Sequence, residues 1–167
     1  MINYCQTYKE FKKLLEESEK QVSESKIYHF TYLSSAYEIL DSNKLMSRHG
    51  ELNSNYPFIS FTSNIDFYKK GIAGFKPNRR ACAFELDSTK MKNDNLNLFY
   101  FEYKSIKNKN YSNELEIRYK GPDINILKYI NKIYLFHRNI KDSDSHFLEK
   151  LKNIANKNNI EIIDIQK

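Results

Sequence analysis

The chain predicts one α+β domain, an antiparallel or mixed β-sheet flanked by short helices. Its 167 residues allow a single core and little else, with no internal repeat and no linker to divide residues 1–167. Short β-rich runs interleave with short amphipathic ones, without the regular strand and long-helix rhythm of a doubly wound protein. Neither G-x-G-x-x-G nor G-x-x-x-x-G-K-[ST] occurs among only four glycines. Loops that bring backbone amides against phosphates in kinases, ATPases and Rossmann proteins are therefore excluded.

Residues 7–24 space Phe11, Leu14, Leu15 and Val22 at helical intervals among Lys and Glu, so residues 1–25 are read as an N-terminal surface helix. IYHFTY (27–32) is a strand of β-formers. SSAYEILDSNKL then predicts a helix capped by Ser34 or Ser35 that buries Ala36, Ile39 and Leu40. A polar loop through His49, Gly50 and Asn55 leads to the strand YPFISFTS and a short capped helix ending at Gly71. GIAGFKPNRR has no sustained apolar period and reads as a basic loop. In the second half ACAFELD, NLFYFEYKS, ELEIRYKG, KIYLF and IEIIDI are strands. TKMKNDN is a turn or one helical turn, INILKYI a short helix, and SDSHFLEKLKNIANKNN an amphipathic helix with Asp142 or Ser143 near its start. Gly121-Pro122 ends the ELEIRYKG strand.

Twenty-seven Lys and Arg against twenty-one Asp and Glu leave a net charge of +6, enough for a basic face and well short of a DNA-packing protein. The abundance of Lys, Asn and Ile is equally what an AT-rich coding sequence produces. No apolar run approaches a bilayer span, and the N-terminus lacks a secretory pattern, so a cytoplasmic protein without a membrane partner is expected. Cys5 and Cys82 stand far apart without His or Cys at ligand spacing. They predict buried thiols, no disulfide framework and no metal.

The alternation in ELEIRYKG puts Glu114, Glu116 and Arg118 on one strand face and Leu115, Ile117 and Tyr119 on the other. On a solvated face these charges only keep a strand soluble, and Glu116 pairs with Arg118 for almost nothing. Lining a cleft, the like charge and partial burial raise one carboxyl pKa while Arg holds the other ionised. His29 lies mid-strand among Tyr28, Phe30, Thr31 and Tyr32, either satisfied by a neighbour or available to a ligand. Ser60 and Thr62 share a face of their strand, where hydroxyls orient a sugar or phosphate or merely pair across the sheet. Ser63 is placed to cap the next helix. No Ser or Cys carries an activating-base motif, so covalent hydrolysis is unsupported.

In order and spacing, the strand bearing His29 and Thr31, the following helix, the strand with Ser60-Phe61-Thr62-Ser63 and the late Glu114-Leu115-Glu116 strand resemble the ADP-ribosyltransferase superfamily over about residues 26–136. That family builds an NAD cleft in a split sheet from a first strand with His or Arg, a second with Ser-Thr-Ser or Tyr, and a later strand with a catalytic Glu. His29 matches the His-Tyr-Glu branch, whereas the other two segments are closer to the Arg-Ser-Glu branch, which leaves the acceptor type open. The resemblance implies a core at 26–136 with NAD as substrate. Glu116 would stabilise the oxocarbenium-like ribose and Glu114 would orient or deprotonate the acceptor. His29, Thr31, Ser60 and Thr62 would line the cofactor cleft, Tyr68 or Phe67 would stack on nicotinamide, and Arg118 would meet a carboxylate or the diphosphate. The acceptor would be a protein or nucleic acid, in a bacterial or phage conflict factor. Two alternatives stand beside this reading. One is a non-enzymatic module holding single-stranded nucleic acid through aromatics such as those of NLFYFEYKS and basic residues such as Lys69, Lys70, Lys76, Arg79 and Arg80. The other is a transferase fold without turnover.

Overall fold

A computed structural model describes residues 22–49, 57–66, 80–101 and 116–166. The N-terminal helix up to residue 21, Cys5, Glu114, Phe67, Tyr68 and the basic loop apart from Arg80 lie outside the described residues. Chain order is β1 (Lys26–Thr31), α1 (Leu33–Ser42), β2 (Arg48–His49), β3 (Pro57–Thr62), β4 (Cys82–Asp87), α2 (Ser88–Asn93), β5 (Leu98–Phe101), β6 (Glu116–Lys120), β7 (Ile130–Phe136), α3 (Ser145–Lys157) and β8 (Glu161–Ile165). All strands share one sheet in the order β5-β6-β3-β1-β4-β7-β8, with β2 on β3. The β7–β8 pairing is parallel and the others antiparallel, which makes the sheet mixed.

Strand alternation sorts the side chains. Ile27, Phe61, Phe84, Ile117 and Ile133 face the larger core, which α1 closes with Leu33, Ala36 and Leu40 and α3 with Leu151 and Ala155. The opposite face carries a smaller cluster of Tyr28, Phe30, Ala83 and Phe136. β4 is buried from Cys82 through Leu86, as a central strand covered on both sides requires. Its Glu85, 2% exposed, is compensated by donors: the Tyr134 hydroxyl at 2.8 Å, the Tyr28 hydroxyl at 3.4 Å and Lys26 Nζ at 3.4 Å.

Several boundaries differ from expectation for local reasons. α1 starts at Leu33 with Tyr32 as its cap and no side-chain cap bond, because burial of Leu33 draws the helix back against the end of β1. The expected caps Ser34 and Ser35 fall inside the first turn. Arg48 and His49, read as loop, pair with Phe58 and Pro57. TKMKNDN contributes to α2, whose cap Asp87 accepts from the Lys90 amide at 2.9 Å. Positive φ falls on Asn43, Asn95 and Asn159, each just past a helix, where asparagine substitutes for the glycine this chain largely lacks.

The junction between β1 and β3 positions the site. β1 runs beside β4 along its whole length, Lys26 opposite Asp87 through Thr31 opposite Cys82. Against β3 its register is a single pair, Tyr28 opposite Thr62. The sheet is thus split at its centre, with β5-β6-β3 on one side and β1-β4-β7-β8 on the other.

Candidate active site

Cross-strand register brings the expected hydroxyls and charges onto the sheet face away from α1 and α3. Ser60 is opposite Arg118 and Thr62 opposite Glu116. Residues directly opposite in an antiparallel pair share a face, so Phe58, Ser60, Thr62, Glu116 and Arg118 form one surface. Its centre is the Glu116 carboxylate. Arg118 Nε donates to Oε1 at 2.8 Å and Nη2 to Oε2 at 3.2 Å, and the Ser60 hydroxyl also donates to Oε1. The Arg118 guanidinium lies 4.0 Å over the Phe58 ring. Only 7% of Arg118 is exposed, so this pair is no solvated surface ion pair; its fork fixes the carboxylate plane. Oε2 retains capacity for another donor.

His29 and Thr31 have the other strand parity, with Ile27, and by register belong to the helix-covered face. Thr31 is buried opposite Cys82, and the structure does not bring it to Ser60, Thr62 or Glu116. His29 reaches them through the split. Its Nδ1 lies 3.1 Å from the Ser60 carbonyl oxygen, and its ring meets Phe61 edge-on at 6.0 Å. A carbonyl only accepts, so Nδ1 carries the proton. Desolvation between the strands lowers the His29 pKa, the Ser60 bond opposes that, and the Arg80 charge lowers it further. The imidazole is therefore neutral near pH 7 and presents Nε2 as an acceptor. Ser60 joins both halves of the sheet, its carbonyl held by His29 and its hydroxyl by Glu116.

Thr62 is buried, and its Oγ1 accepts from the Asn64 amide at 3.2 Å while Asn64 Oδ1 accepts from Asp66 N at 2.9 Å. It shapes the turn after β3. Glu114 and Tyr68 lie outside the described residues, so their placement is not part of this geometry. Sequence reasoning missed Phe58, whose parity with Ser60 was legible but whose place beneath Arg118 depends on the β3–β6 register. It also missed Tyr32, 48% exposed, with the Arg80 guanidinium 3.9 Å from its ring centre. Phe99 and Tyr100 of β5, offered as base-stacking aromatics, are buried, which removes their support for a stacking module. Among the described residues no helix is long and apolar enough to cross a membrane, and no group of three or more His, Cys, Asp or Glu could hold a metal ion.

No protein-family model and no curated protein matches the sequence. Solved structures do match. DarT of Thermus sp. 2.9 in complex with NAD+ superposes with a TM-score of 0.51 at 10% identity over 87% of this chain and 98% of its own. Its complex with ADP-ribosylated single-stranded DNA gives 0.52 at 10% identity, over 88% of this chain and 97% of that one. The complex with carba-NAD+ gives 0.51 at 12% identity, over 88% and 98%. The split mixed sheet with its helices is therefore an ADP-ribosyltransferase-like fold resembling that of DarT.

Proposed function

We propose that the chain is an NAD-dependent ADP-ribosyltransferase whose reacting ribose lies over the seam between β1 and β3. The observation that carries this reading is the Ser60 bridge, which sets a neutral imidazole and an arginine-held carboxylate on two sides of one opening. In the reaction the bond between nicotinamide nitrogen and ribose C1′ breaks, and nicotinamide leaves with the bonding electrons. C1′ gains oxocarbenium character before an acceptor lone pair forms the new bond and the acceptor proton passes to a base. Glu116 accepts a hydrogen bond from a ribose hydroxyl and opposes the developing positive charge. The Nε2 lone pair of His29 accepts a second hydroxyl, which a protonated ring could not do. Glu114, two residues before Glu116 in the sequence, is assigned to acceptor orientation or deprotonation.

For the acceptor we favour a single-stranded nucleic acid over a protein. The DarT complex with ADP-ribosylated single-stranded DNA supports this choice, as does the net charge of +6.

The test is nicotinamide release from labelled NAD, with label transfer to oligonucleotides or to lysate proteins, for the native chain and Glu116→Gln. Gln keeps an acceptor for Arg118 but removes the charge, so about 2 kcal/mol of stability is expected to go with it. Release should fall by at least about a hundredfold while the circular dichroism spectrum is retained. Equal release from both proteins would remove Glu116 from the chemistry, and no release from the native chain with any acceptor would sink the transferase reading.

A further inference from the structure

Beside the split, the end of β1 carries a feature that the transfer chemistry does not use. Tyr32 is one of two large apolar side chains that remain exposed among the described residues, 48% accessible. It caps α1 in an extended conformation, its carbonyl accepts from the Ala36 amide at 2.8 Å, and its side chain makes no cap bond. The ring is thus free of any part in closing the helix. The Arg80 guanidinium carbon lies over it, 3.9 Å from the ring centre, and Arg80 is itself anchored where Asn139 Nδ2 donates to its carbonyl at 2.7 Å. Arg80 begins the approach to β4, and its charge is felt at His29. Exposing an aromatic ring costs hydration free energy, and ordering an arginine beside it costs rotamer entropy. An aromatic face presented with a cation whose charge reaches His29 is chemistry suited to a nucleotide, base on ring and phosphate near guanidinium.

We infer that Tyr32 and Arg80 form a preformed platform on which a nucleobase stacks, with the attached phosphate beside Arg80. The inference rests on the transferase reading, since a nucleotide reaches this position either as the base end of the dinucleotide or as a residue of the nucleic-acid acceptor. Base stacking on an aromatic side chain is sensitive to alanine substitution and tolerant of one aromatic for another.

The experiment measures binding by calorimetry to the full chain, Tyr32→Ala and Tyr32→Phe. The probes are ADP-ribose, nicotinamide mononucleotide, a short single-stranded oligonucleotide and its abasic counterpart. Tyr32→Ala should weaken a base-bearing probe by about tenfold, and Tyr32→Phe by no more than about twofold. Nicotinamide mononucleotide and the abasic strand should be unaffected. A loss confined to ADP-ribose assigns the platform to the donor, and a loss confined to the base-bearing oligonucleotide assigns it to the acceptor. If Tyr32→Ala binds both as the native chain does, the platform is refuted while nicotinamide release leaves the transferase reading intact. If the native chain neither binds ADP-ribose nor releases nicotinamide, the transferase reading fails, and undiminished oligonucleotide binding by Tyr32→Ala then refutes the platform as well.

Discussion

Arg118 and His29 are set around Ser60 from the two sides of the split, one paired across β3–β6 and the other bonded to its carbonyl. Arg118 meets Glu116 through both ends of its fork and lies on Phe58, so its work is positional. Arg118→Lys retains the positive charge but cannot bridge both carboxylate oxygens or stack flat. We expect the variant to lose about tenfold or more in kcat with little change in the KM for NAD, and steady-state kinetics would measure it. A raised KM with unchanged kcat would instead place Arg118 on the substrate. His29 has the contrary arrangement, since folding lowers its pKa from 6.5. Above that value both folded and unfolded chains hold it neutral, and it adds no pH dependence. As pH falls through about 6.5 the unfolded chain takes up the proton first, so stability declines until the lower folded value is passed. Melting temperatures of the native chain and His29→Gln between about pH 8 and 5 should diverge in slope, with the native chain losing more on acidification. Parallel slopes would mean the imidazole titrates normally.

Among the elements, β6 shows both what the residues announce and what they withhold. Alternation in Glu116-Ile117-Arg118-Tyr119 is legible locally, and the structure preserves it, with Ile117 and Tyr119 in the larger core. That Arg118 is 7% exposed was not legible, because its cover comes from β3, whose Phe58 is some sixty positions away in the chain. The same limit explains β5: NLFYF reads as a strand with aromatics on a face, and only its pairing with β6 shows Phe99 and Tyr100 to be core. β6 ends at Lys120, as expected, and the glycine that follows it has a steric reason to be there. A Cβ there would run into the ring of Tyr119, which is 5% exposed and has little room to yield. Gly121→Ala should therefore destabilise the chain by about 1–3 kcal/mol in urea unfolding, and adding Tyr119→Phe should recover part of that, since the hydroxyl is the nearest atom. A neutral Gly121→Ala would show that the ring can move aside.

The whole sheet is two slabs joined along a weak central line, and the proposed site exists only when they are in register. Glu116 and Ser60 belong to the β5-β6-β3 slab and His29 to the β1-β4-β7-β8 slab. The second slab holds the deeper core: β4 is buried along most of its length, and burial there also pushes the Cys82 thiol up, out of the reactive range. Backbone amides of β4 should thus exchange most slowly. Those along the β1–β3 seam should exchange through local opening, since among the described residues it is spanned by a single register pair, the His29 bond and the His29–Phe61 ring contact. A dinucleotide contacting both slabs would stabilise the closed seam through its binding free energy, about 2.7 kcal/mol at a hundred times Kd. Hydrogen-exchange mass spectrometry with and without NAD should show added protection in peptides covering both β1 and β3, and less in β8 at the far edge. Protection confined to one slab would place the ligand away from the seam and separate Glu116 from His29 in function. Protection on both sides would make closure of the split part of substrate binding, with Ser60 as the residue through which each half reports to the other.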